Sequence, residues 1–118
     1  MRRSADERAA IARAKARLDR LDWWPGPVRV ERVRILSVPW LFRLPWFRRF
    51  DGYTMWPLIL LRWPLADVSD ELIVHELCHV WQMQHHPVRM PLSYLVRGYA
   101  DNPNEVQARA ASTVTRPS

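Results

Sequence analysis

The chain is poor in the residues that staple a protein or anchor it in a membrane. It has one cysteine, Cys78, so no internal disulfide can form, and a reducing compartment is compatible. Its densest apolar stretch, "MWPLILL" (Met55 to Leu61), falls far short of the roughly 18 residues that a spanning helix needs. The opening "MRRSADERAAIARAK" carries two arginines but no apolar segment after them, so no secretory signal is expected and the expected location is cytoplasmic. Glycine is scarce, at three residues, and lysine almost absent: Lys15 stands beside 17 arginines.

The net charge is +6. A basic balance fits nucleic acid, anionic lipid or acidic partners. No basic nucleic-acid motif is visible, so arginine-for-lysine usage is read as base composition, and nucleic acid is not expected as a partner. With 118 residues, 48% of them hydrophobic, the chain suits one domain, 1–118, with a modest core.

Residues 4–21 read as a helix. Ser4 and Glu7 form a capping box, and Ile11, Ala14, Leu18 and Leu21 recur at helical spacing. "DWWPGP" ends it, because Pro25, Gly26 and Pro27 cannot continue a helix. "VRVERVRIL", Val28 to Leu36, alternates as a strand does. "YTMWPLILLR" reads as a second strand, placed at a sheet edge because Pro57 has no N–H for a ladder. Ser69 is the N-cap of a helix expected to run to about His85 and stop before Pro87. A connector follows, with a short helical piece around Leu92 to Arg97. A last helix begins at Asn102 with Pro103 in its favoured first position.

Two stretches remain. "VPWLFRLPWFRRF" mixes arginine with Trp40, Phe42, Trp46, Phe47 and Phe50. It suits a membrane interface or partner surface, or aromatics filling the core of a small domain; core filling is the expectation. "HELCHVWQMQHH" holds all four histidines of the chain within twelve residues, His75 to His86. It begins with HExxH: His75, Glu76, Leu77, Cys78, His79. On a helix, residues four apart lie about 40° apart, so His75 and His79 share a face and can share one tetrahedral ion. Glu76 flanks that face, where a carboxylate can take a proton from water and pass it to a leaving amine. Ile73, Val74, Leu77, Cys78, Val80 and Trp81 form the opposite, core face. Glu71 and Gln82 join the histidines on a polar stripe.

Zinc needs a third protein ligand and an open position. His85 lies ten residues after His75, but Gln82 stands where a glycine would be needed to turn the chain back. On a straight helix His85 sits about 9 Å beyond His79 along the axis. Glu105, in "NPNEVQA", is the other candidate. Its helix could approach the ion, with Ala108 and Ala111 permitting close contact, although Asn102 and Glu105 also make a capping box. Cys78 is turned toward the core face, Gln82 is placed to orient a ligand or to sit on polar surface, and His86 is the one nearby residue able to close a fourth position. Tyr94, Arg97 and Tyr99 are candidate oxyanion donors, or simply pack the connector.

"HELCHVWQ" followed by "YADNPNEVQA" resembles the short glutamate-zincins, including the minigluzincins, over Tyr53 to Ala111. The resemblance implies an α+β minimal zincin-like domain: an N-terminal helix, a small sheet whose edge strand borders the cleft, an active-site helix and a C-terminal glutamate helix. It implies zinc held by His75, His79 and Glu105, with Glu76 as general base, and a peptide or protein substrate paired along the edge strand. The rival expectation is a latent or non-catalytic adaptor, stabilised by zinc, that binds a partner through its Arg/Trp surface.

Overall fold

The computed structural model describes residues 4–87, 90 and 102–117. The fold is α+β, with a small mixed sheet between a helical layer and an aromatic loop. The elements are α1 (Ala5–Leu18), β1 (Arg34–Ser37), β2 (Gly52–Met55), β3 (Leu58–Leu61), α2 (Asp70–His85) and α3 (Pro103–Val114). Short 3₁₀ turns stand at Leu41–Arg43 and Leu65–Asp67.

Helix α1 starts as its sequence dictates. The Ser4 hydroxyl accepts from the Glu7 N–H at 3.1 Å. The Glu7 carboxylate does more than cap: it accepts from Arg34 Nε at 2.9 Å and from the Ile35 N–H at 2.7 Å, tying α1 to β1. The helix stops at Leu18, ahead of "DWWPGP", and Leu21 packs on the core from the following turn.

Both strand expectations need correction. Only residues 34–37 of the Val28 to Leu36 run form β1. Val28 and Val30 alternate inward, then the next inward residues are Val33 and Ile35, so the period slips by one. A turn closed by the Val33 N–H on the Val30 carbonyl, at 3.1 Å, takes up the slip. "YTMWPLILLR" is two strands. Trp56 and Pro57 are the turn of a hairpin whose strands pair with Tyr53 opposite Leu60 and Thr54 opposite Ile59. The missing N–H of Pro57 is therefore never needed by the ladder; the half before the turn, β2, does lie at a sheet edge, whereas the half after it, β3, is central.

The sheet order is β1-β3-β2, with β3 central, parallel to β1 and antiparallel to β2. Central position explains why β3 reads as the unbroken apolar run Leu58–Leu61, since both its faces are covered. Ile59 and Leu61 point into the main core with Ile11, Leu18, Val74, Leu77 and Trp81. Leu60 points the other way, onto Phe42 and Phe50.

Helix α2 crosses the first face. Ser69 caps it by accepting from the Leu72 N–H at 3.2 Å, and its predicted core face is buried from Ile73 to Trp81. Its last turns hold the Trp23 to Val30 segment: Trp81 Nε1 donates to the Gly26 carbonyl at 2.8 Å, and the Gln84 amide exchanges two hydrogen bonds with the Arg29 backbone. Helix α3 lies against α2, with Ala108 and Ala111 fully buried. Arg17 of α1 and Arg20, in the turn that follows it, donate to the carbonyls of Ser112 and Thr115 at the C-terminal end of α3.

Candidate metal centre

The i, i+4 spacing puts His75 and His79 one turn apart on α2, ring centroids 4.9 Å apart. Glu105 faces both from the first turn of α3. Its Oε1 lies 2.5 Å from His75 Nε2 and its Oε2 3.0 Å from His79 Nε2. Helix α3 is capped by the Asn102 side chain, which accepts from the Asn104 N–H at 2.9 Å. The Glu105 carboxylate is directed to the histidines.

The three ligand atoms lie within 4.8 Å of one another. Tetrahedral ligands about 2.0–2.1 Å from a zinc ion stand roughly 3.3 Å apart, so small side-chain shifts would fit this trio to one ion. Two imidazoles and a carboxylate are a donor set that suits zinc with an open position.

Burial shapes the electrostatics. Glu105 is 3% exposed. Burial opposes its charge, but hydrogen bonds from His75 and His79 outweigh it and hold the carboxyl far below the usual range. Burial likewise opposes a charged His79, yet the Glu105 and Glu76 carboxylates raise its pKa overall. Cys78 is fully buried in the apolar core. Burial first, then Glu105 and Glu76, pushes its thiol to about 12, the behaviour of a packing residue.

Gln82, placed by sequence on a polar stripe, is wholly buried between α2 and α3. Its Oε1 meets His79 Nδ1 at 2.8 Å, leaving Nε2 facing Glu105. Its amide nitrogen donates to the Asn104 carbonyl at 2.8 Å and to Gln107 Oε1 at 3.0 Å. One side chain therefore orients an imidazole and fastens the two helices that supply the three donors.

Glu76 is 2% exposed. The Thr54 hydroxyl on β2 reaches its Oε1 at 2.8 Å and its backbone carbonyl at 3.0 Å. Gly52 lies so close that a Cβ there would stand 3.3 Å from Glu76 Cγ. Thr54 and Gly52 were not legible as site residues, since nothing in a local pattern shows which strand residues meet a helix. A glycine two residues before a threonine in a short strand is the only trace. His75, Glu76 and Gly52 open onto a cleft of about 620 Å³, which Arg49, Trp63 and Glu71 also line.

The remaining candidates separate. His85 stacks on Trp24, centroids 5.8 Å apart and planes 11° from parallel, away from Glu105. His86 ends α2, donating its N–H to the Gln82 carbonyl, and is not in the donor group. Tyr94, Arg97, Tyr99 and the helical piece expected at 92–97 lie outside the described residues. Comparison with protein-family models, curated proteins and solved structures found no match to this chain.

Proposed function

We propose that the chain is a zinc-dependent peptide hydrolase of the short glutamate-zincin kind. The observation that carries this reading is the convergence of His75, His79 and Glu105 beside a buried glutamate that opens onto a cleft. A zinc ion held by the trio supplies Lewis acidity toward a carbonyl oxygen and acidifies a water molecule. The chain's own residues do the rest. Glu76 takes the proton of the attacking water and returns it to the departing amine. Thr54 fixes Glu76 Oε1, which leaves Oε2 beside Gly52 on the cleft. Among the described residues the outer edge of β2 pairs with no other strand, so an extended peptide can lie along it. A cytoplasmic setting suits the reduced, buried Cys78.

A closed structural site would need a fourth protein donor. Among the described residues the donor group has three members, which favours the hydrolase over the adaptor. The test is Glu76→Gln. Elemental analysis should give one zinc per chain for both proteins, while cleavage of a peptide library should be lost in the variant. Equal cleavage by both would remove Glu76 as the base. Zinc bound by a wild-type chain that cleaves nothing would favour the adaptor.

A further inference from the structure

No acidic residue occurs from position 32 to position 50, a span that holds Arg32, Arg34, Arg43, Arg48 and Arg49. Within it the aromatics divide. Phe42 and Phe50 are buried under the sheet, whereas Trp40 is 64% exposed and Trp46 57% exposed, with Leu44 beside them in sequence. Arg43, Arg48 and Arg49 are exposed as well.

The segment is held in shape from beneath. The Arg62 guanidinium donates to the carbonyls of Phe42, Phe47 and Arg48, and a 3₁₀ turn spans Leu41–Arg43. Arg49 lies over the Trp46 ring at 4.6 Å from its centroid. Trp63, half exposed, borders both the Arg43 side of this segment and the cleft.

We propose that residues 40–49 dock the chain on anionic bilayers, with the indoles at headgroup depth and the guanidiniums on lipid phosphates. Tryptophan prefers the boundary between water and hydrocarbon, where its ring is buried and its N–H stays wet. Guanidinium forks match phosphate oxygens, and an anionic surface draws a segment whose own charges, Arg43, Arg48 and Arg49, are all positive. A second copy of the chain is a poorer occupant. The exposed parts of Trp40, Leu44, Trp46 and Trp63 total roughly 500 Å², short of the roughly 800 Å² that each partner buries in a stable interface. Docking would set the mouth of the cleft close to the bilayer, because Arg49 and Trp63 belong to both surfaces. The inference does not depend on the metal reading, since the segment shares no residue with the donor group.

Co-sedimentation tests it, using the full chain and vesicles of phosphatidylcholine alone or mixed equally with phosphatidylglycerol. Wild type should partition onto the mixed vesicles, weakly or not at all onto phosphatidylcholine, and come off as salt rises. The double variant Trp40→Ala, Trp46→Ala should lose at least about tenfold in partitioning with its circular dichroism unchanged. Arg43→Gln with Arg48→Gln should lose binding to mixed vesicles and flatten the salt dependence. Wild type left in the supernatant with mixed vesicles overturns the proposal, whether or not the chain self-associates. So does a tryptophan variant that partitions as wild type does.

Discussion

The two faces of the sheet are covered by different chemistry. The helical face buries carboxylates and amides with their partners: Glu7 with Arg34, Glu76 with Thr54, Glu105 with two histidines, and Gln82 across α2 and α3. The loop face buries a small aromatic cluster and leaves two tryptophans and three arginines outward. A buried polar group must keep its hydrogen bonds or destabilise the fold by its lost hydration. The helical face is therefore fixed by mutual satisfaction. The loop face is held by its aromatic inward side and by Arg62, and its outward side adds little to folding.

The largest effect should come from breaking the shared core. Leu61→Ala removes a fully buried side chain on the helical side of β3 and should cost about 2–5 kcal/mol. Trp46→Ala, on the outward side of the loop, should stay within about 0.5 kcal/mol. Urea denaturation of both measures the contrast, and comparable losses would mean that the loop is as integral as the core.

Next in size is the donor group. Glu105→Ala should weaken zinc binding at least about tenfold, or roughly 1.4 kcal/mol, while His85→Ala changes it little. If Glu105 acted only at the helix end, its removal would cost about 1 kcal/mol of stability and leave zinc affinity unchanged. Affinity and thermal stability measured on both variants separate these outcomes. A metal ion held by the trio would have to displace the proton that Glu105 and Glu76 favour on His79, so apparent affinity should rise with pH.

A smaller effect sharpens the contrast through acid. Burial opposes the Glu7 charge, but Arg34 and the Ile35 N–H outweigh it, so the folded pKa lies below the unfolded 4.5. The stability Glu7 contributes is complete above 4.5 and is lost as pH falls through the lower folded value. Glu7→Gln should reduce stability at neutral pH by about 1 kcal/mol and flatten the acid limb. An unchanged acid limb would show that Glu7 does not join α1 to β1 energetically.

The helices were legible in sequence because their signals are local. Ser69 and the apolar period set α2 within a residue, and Pro103 opens α3 where a first-turn proline belongs. The sheet was less so. Trp56 and Pro57 sit between two β-prone runs, and a window along the chain reads them as one strand. The parallel pairing of β1 with β3 is a long-range choice that no window contains. The site divides the same way. Spacing on one helix marked His75, Glu76 and His79, and the need for a third donor marked Glu105. Thr54 and Gly52 reach Glu76 only through the hairpin turn, so they became visible only in three dimensions.

The buried Gln82 amide has a calorimetric consequence. It fastens α3 to α2 and aims His79 through contacts made wholly within the chain, so the ordering entropy of the donor trio is incurred on folding, before any ion arrives. Ion uptake would then bury little new apolar surface. Its heat-capacity change should be small, and Gln82→Ala, by letting the helices part, should make that change distinctly more negative.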